Sequence, residues 1–195
     1  MNDKIDSISK GITESYDWMR IQMEKRTSKY QGHYPWWGWK IYYLDHPEPD
    51  LRNERHRWNQ DFYRIELNIA DNKVLLSDLN GWCCGPMNGR FLPFTEEEDQ
   101  DFDARWKKST GANLISLKDL RYLLEQGKPS PIKDPDPELL KEIEDSWERC
   151  FDLEAMKHNT YCGGGYVQAC FEVLRLDEVK KITFCKCVKS KKNDL

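Results

Sequence analysis

The side chains best placed to do chemistry lie late in the chain, between Gly163 and Val188. From Tyr166 to Leu174 the residues alternate as they would along a strand. Val167, Ala169, Phe171 and Val173 fall on one face, and Tyr166, Gln168, Cys170, Glu172 and Leu174 on the other. An amide and a carboxylate, Gln168 and Glu172, thus share a face about 13 Å apart, at about 3.3 Å per residue. If that face stands opposite the apolar core, the pair lines a pocket in which Gln168 hydrogen-bonds a ligand and Glu172 stays partly exposed. The plainer reading gives Gln168 a neighbouring backbone partner and Glu172 a surface lysine. Gly163, Gly164 and Gly165 precede the strand and can border a ligand through positive torsions and close backbone approach, or serve only as a connection.

Two other stretches carry binding chemistry. Tyr34 to Tyr43, YPWWGWKIYY, holds three of the eight tryptophans, so Trp37, Trp39 and Tyr43 could stack on a base or nicotinamide ring. The same run also reads as a strand from Trp36 to Leu44, entered through Pro35, whose bulky residues pack beneath a helix. In the loop from His46 to Gln60, Arg52 and Arg57 sit beside carboxylates and Trp58, a pattern that suits an anion or nucleotide as well as it suits local ion pairs.

Several chemistries are excluded or unsupported. No Ser/His/Asp order, phosphate-binding loop or HExxH pattern occurs, and His33, His46, His56 and His158 all fall in turn-like stretches. Seven cysteines are an odd number. The tight Cys83-Cys84 and Cys185-x-Cys187 spacings match neither a zinc site nor a secreted disulfide framework, so they read as reduced thiols with no metal. Thirty Lys plus Arg against 34 Asp plus Glu give a net charge of -4, which removes non-specific nucleic-acid attraction as a default. With no apolar run of roughly 18 residues and a polar N-terminus, the expectation is a cytoplasmic protein with no membrane span.

These residues have to be held by a core that 195 residues can supply in one domain. Ile12, Tyr16, Met19 and Met23 predict a helix over Thr13 to Arg26, with Arg20, Glu24 and Lys25 outward. Phe62 to Ile69 predicts a strand with Tyr63, Ile65, Leu67 and Ile69 inward. A turn at Asp71-Asn72 and a buried strand from Val74 follow, ending at Ser77-Asp78. Gly81 to Gly89 is too rich in turn residues for a regular element. Residues from Thr95 to Asp136 read as a helical, acidic and proline-rich insertion that folding could do without. Within it, Ser116 caps a helix bearing Leu117, Leu120 and Leu124. Asp136 and Pro137 open another helix with Leu140, Ile143, Trp147 and Cys150 at helical spacing. Leu176, Val179 and Ile182 suggest a helical turn, and Thr183 to Val188 a last strand with Phe184 inward.

Several phrases carry a resemblance. Tyr16-Asp17-Trp18-Met19 with Gln22-Met23 and Arg26, Pro49-Asp50-Leu51-Arg52, Ile65-Glu66-Leu67, and Val74 to Asp78 with Trp82 come first. Ser146 to Arg149 with Phe151-Asp152-Leu153, and Tyr166 to Ala169, complete the set. In this order they resemble the family called domain of unknown function 3841, across nearly the whole chain apart from Thr95 to Glu144. The resemblance implies an uncharacterised protein of bacterial and mobile-element genomes. Family members usually open with a further strand and helix similar to those of ADP-ribosyltransferase-like folds, and this chain starts at or just before the YDWM helix.

In that superfamily a Gln or Glu is followed two residues later by a Glu that stabilises the ribose of NAD in its oxocarbenium-like state. The corresponding pair here is Gln168 and Cys170, and a thiol cannot supply the carboxylate, although Glu172 lies two residues further on the same face. The expected fold is therefore α+β, a single domain with a mixed, mostly antiparallel sheet packed by helices, ADP-ribosyltransferase-like. The resemblance implies NAD or another nucleotide as ligand, with Gln168 and Glu172 on the strand floor. Arg52 or Arg57 would hold the phosphates, one of Trp37, Trp39 and Tyr43 the ring, and catalysis is left open. The alternative is a non-catalytic protein, of phage or mobile-element type, that binds and inhibits another protein.

Overall fold

The computed structural model describes residues 2–41, 60–113, 116, 119 and 135–187, with side chains followed from residue 13 onward except at 41. Helix α1 runs Asn2–Arg26, longer at its start than its apolar stripe predicts. Met19 and Met23 are fully buried and Tyr16 is half-buried, in accord with that stripe. The helix closes where the Thr27 hydroxyl and N–H both donate to the Met23 carbonyl at 2.8 Å.

Beneath α1 lies a three-stranded antiparallel sheet in the order β1 (Trp36–Ile41), β4 (Val167–Phe171), β3 (Val74–Asp78). Cys170 of the central strand pairs with Trp37 on one side and Leu75 on the other. Those residues pack against Met19, Met23 and Trp82. The face of β4 that carries Gln168 and Cys170 is thus the helix-covered face, rather than one opposite the apolar core. Val167 and Phe171 on the other face are buried as well, so alternation of residue type could not say which side held the core.

Helix α2 (Leu79–Cys84) follows β3 directly, where turn residues predicted no regular element. Asp78 caps it by accepting from the Gly81 N–H at 2.8 Å. Gly81 is there for close packing: a Cβ would come within 2.9 Å of the Met156 methyl and 3.2 Å of Cys150 Cβ.

Helix α3 (Glu96–Thr110) keeps its acidic first turn, Glu96 to Asp99, at the positive end of the helix dipole. Phe102 and Trp106, four residues apart on its other side, are fully buried. They join Phe91, Leu139, Ile143 and Trp147 in a second core cluster, so this helix of the expected insertion is part of the core. Helix α4 (Pro137–Ser146) begins as predicted, with Asp136 accepting from the Glu138 N–H at 2.9 Å and Pro137 in the first turn. Arg105 of α3 clamps Glu142 of α4 through two bonds of 2.6 and 2.7 Å. Ser116 accepts from the Asp119 N–H at 3.1 Å as a cap would. Leu117, Leu120 and Leu124 lie outside the described residues.

A 3-10 turn (Trp147–Phe151) and the short α5 (Leu153–Lys157) lead back to β4. Trp18 of α1 packs on both clusters and stacks on Phe151 at 5.5 Å.

The remaining strands, β2 (Phe62–Leu67) and β5 (Val179–Cys185), form a separate antiparallel ribbon. Alternation in β2 is as predicted and its sense is inverted. Tyr63 is 67% and Ile65 46% exposed, beside Ile182 at 58% and Phe184 at 50%. Tyr63 pairs with Phe184 and Ile65 with Ile182, so these four residues form one outward apolar face, against the expectation that Tyr63, Ile65 and Phe184 point inward. Leu176–Glu178 is a single 3-10 turn, while Val179 and Ile182 belong to β5.

Candidate functional site

The second half of α1 presents Asp17, Arg20, Ile21 and Glu24 on one face, at the i, i+3, i+4, i+7 spacing that buries Met19 and Met23 on another. After the helix ends, Lys29 turns the chain with φ 60° and Gly32 with φ 94°. This brings Tyr30, Gln31 and Gly32 back against that face. Together these seven residues line an open cleft of about 480 Å³.

The cleft is wired. Arg20 donates to Asp17 at 2.9 Å, and its guanidinium lies 4.9 Å from the centre of the Tyr34 ring. The Tyr34 hydroxyl donates to the same Asp17 oxygen at 2.9 Å. Bonding to Tyr34 first, then Asp17 and Tyr30, holds the Arg20 pKa above its ordinary value. Its Nε is buried without an acceptor among the described residues. Tyr30 donates to the His33 carbonyl at 2.6 Å, and burial pushes its hydroxyl pKa up.

Glu172 stands at the rim, one residue past the end of β4. Both of its oxygens accept from the Gln31 N–H at 2.9 Å, and one also accepts from the His33 N–H at 2.9 Å and lies 3.0 Å from His33 Nδ1. Burial works to raise its pKa, yet the His33 and Gln31 backbone bonds and the His33 ring together hold it below the usual carboxylate range. Chemically, Glu172 is the clasp that fixes the returning loop.

The other predicted residues are dispersed. Gln168 is 5% exposed and its amide donates to Ser77 at 3.0 Å, between β4 and β3. Trp37 is half-buried against Tyr16 and Trp82, with ring centres 5.7 and 5.1 Å away. Trp39, opposite Gln168 in the sheet register, is exposed. Tyr43, Arg52 and Arg57 lie outside the described residues. The cleft residues Arg20, Tyr30 and Gln31 carry no sequence mark beyond the outward helical face that predicted Arg20 and Glu24 to be exposed.

The second distinctive surface is the outer face of the β2–β5 ribbon. Over residues 61–67 and 179–187 the cations are Arg64, Lys180, Lys181 and Lys186, against Asp61 and Glu66. Both carboxylates are engaged: Asp61 accepts from the Cys187 N–H at 2.7 Å, and Glu66 bonds Arg64. The Arg64 bond is the main reason the Glu66 pKa lies below its ordinary value. Lys180, Lys181 and Lys186 are exposed.

Among the described residues no three or more His, Cys, Asp and Glu side chains are grouped to hold a metal ion. No described helix is long and apolar enough to cross a membrane.

The chain belongs to the family of the domain of unknown function DUF3841, whose model matches residues 1–180. No curated protein matches the chain, and no solved structure does.

Proposed function

We propose that the protein acts by binding rather than by turnover, and that the outer face of the β2–β5 ribbon docks on a second protein whose apolar patch is bordered by carboxylates. The observation that carries this reading is the inverted ribbon, with Tyr63, Ile65, Ile182 and Phe184 all outward. A two-stranded ribbon is marginal by itself, and apolar side chains grouped on its open face mark a surface that another molecule covers. The lysine rim selects the partner's chemistry, since Lys180 and Lys186, on the side of Ile182 and Phe184, remain exposed while Asp61 and Glu66 are engaged. A second copy of this chain, docked ribbon to ribbon, would set those lysines against each other. Binding over turnover is supported by the state of Gln168 and Glu172, whose polar atoms are held by Ser77, Gln31 and His33.

The test places a photo-reactive side chain at Ile65 of the full chain, expressed in its own cells. The expected product is a cross-link to one other protein, at a peptide where apolar residues adjoin Asp or Glu. With that partner purified, Ile65→Asp should weaken binding at least about tenfold, as loss of a central contact does. Cross-links only to this chain would overturn the reading.

The cleft favours a second reading, a nucleotide such as NAD. Its volume suits a small ligand, Tyr30 offers a ring, and Arg20 a cation. Asp17 and Glu24 on the same wall oppose a phosphate, which ranks this reading second. Calorimetry with NAD decides it: binding that Arg20→Ala abolishes supports it, and no heat at millimolar NAD ends it.

A further inference from the structure

The cleft on α1 carries a charge pattern more specific than its size. Asp17, Arg20 and Glu24 follow one another along the wall by one helical turn each. Neighbours in that row stand about 5–6 Å apart, and the two carboxylates about 10 Å apart along the axis. Two anions thus flank one cation. Ile21 lies exposed between the carboxylates, and Tyr30 faces the wall from the returning loop.

Each of the three charged groups keeps bonding capacity for a ligand. The bonds that Arg20 and the Tyr34 hydroxyl donate to Asp17 both fall on Oδ1, which leaves Oδ2 unbonded among the described residues. A guanidinium forks its N–H donors in several directions. Arg20 Nη2 looks towards Gly32, where an added Cβ would stand 4.0 Å from that nitrogen and closer to nothing else. The missing side chain therefore keeps the space before the guanidinium open. Glu24 is exposed and has no ion pair among the described residues. Burial is the first cause of the raised Tyr30 pKa, and the charges of Glu172 and Glu24 add to it, so the ring stands close to two anions.

We propose that the cleft binds a free α-amino acid with a cationic side chain, of which lysine is the simplest. A guanidinium beside a carboxylate complements the head group of such a ligand. The α-carboxylate meets Arg20 on the Gly32 side, and the α-ammonium meets Oδ2 of Asp17. The side-chain methylenes run over Ile21 and the Tyr30 ring, and the terminal ammonium reaches Glu24, one turn further along the wall. The charges then balance, two ammonium groups and one carboxylate against two carboxylates and one guanidinium. A neutral amino acid leaves Glu24 unanswered, a diamine leaves Arg20 unanswered, and a pyrophosphate meets both carboxylates with the wrong sign. Such a site stands independently of the ribbon and takes a ligand of opposite charge to NAD.

The experiment titrates the isotope-labelled full chain with lysine and follows its amide resonances by NMR. Parallel titrations use norleucine, which lacks the side-chain ammonium, cadaverine, which lacks the carboxylate, and NAD. Lysine should move the Gln31 and Gly32 amides saturably at millimolar concentration or below. Norleucine and cadaverine should each bind at least about tenfold more weakly, having lost one charge pairing. Glu24→Gln changes an exposed side chain. It should bring lysine down to the level of norleucine and leave norleucine as it was, a convergence that a merely structural role for Glu24 would not produce. Three results would overturn the proposal: no saturable shift at Gln31 or Gly32 with millimolar lysine, norleucine or cadaverine binding as well as lysine, or NAD moving those amides where lysine does not. The parent's own ligand series decides the matter even if the variant fails to fold.

Discussion

Replacing Trp106 by alanine should lower the melting temperature by about 6–12 °C, a figure that follows from its surroundings. The indole has no exposed surface. It stacks near Phe102 with ring centres 6.5 Å apart, and Phe102 stacks on Phe91 at 4.3 Å. Leu139, Ile143 and Trp147 complete the cluster. Truncating a buried Trp to Ala costs about 3–5 kcal/mol. Part of that loss is offset here, because the Trp106 Nε1–H is buried with no hydrogen-bond partner among the described residues, and an unmade buried bond costs about 1–3 kcal/mol. The lower end, about 3 kcal/mol, is therefore the expectation. For a chain of this size each kcal/mol moves the melting temperature by about 2–4 °C.

Trp106→Phe makes the matching control, since it keeps a ring and removes the orphan donor. It should cost less than about 1.5 kcal/mol. Thermal unfolding followed by circular dichroism, with urea midpoints as a check, measures both variants. If Trp106→Ala melted within about 2 °C of the parent, less than 1 kcal/mol at this size, α3 would be a surface attachment and the shared core an error.

Glu172→Gln should destabilise by about 1–2 kcal/mol at neutral pH, because an amide loses the negative charge that strengthens the Gln31 and His33 N–H bonds and turns the second acceptor oxygen into a donor. Its pKa is depressed in the folded chain, so this stability is complete above the unfolded carboxylate value of about 4.3 and is lost as pH falls through the lower folded value. Parent and variant urea midpoints should converge in acid, and a gap that persisted there would refute the assignment. Gly164→Ala should cost at least about 3 kcal/mol, since its Cβ would lie 1.7 Å from the Met156 carbonyl oxygen, a backbone atom with little room to yield. Near-parental soluble yield and urea midpoint would show that the turn can move.

Local rules made part of this fold legible. The α4 start was readable because Asp136 and Pro137 act on their own neighbours, and β3 because its ending at Asp78 coincides with a cap. Alternation also found β2, but a period of two says only that faces differ, and the packing that left Tyr63 and Ile65 outside is tertiary. Phe102 and Trp106 were hidden because α3 carries so many charges on its other sides. Gly81 looked like a turn signal when its role is to let Met156 and Cys150 approach. Of the candidate sites, Glu172 was visible as a residue while its partners were not, for the loop at Gln31 and His33 meets it only after the sheet has formed.

The position of Trp18 against both clusters has an optical consequence. Ring centres run from Trp37 to Trp82 at 5.1 Å, from Trp82 to Trp18 at 6.2 Å, and from Trp18 to Trp147 at 5.7 Å. Four indoles from β1, α2, α1 and the 3-10 turn thus form a single chain of chromophores. Excitation absorbed at any of them is shared along the chain, so the intrinsic emission of this protein cannot be parcelled out to one region. The coupled transitions also make near-ultraviolet circular dichroism a joint reporter, whose signal decays when either half of the interior loosens.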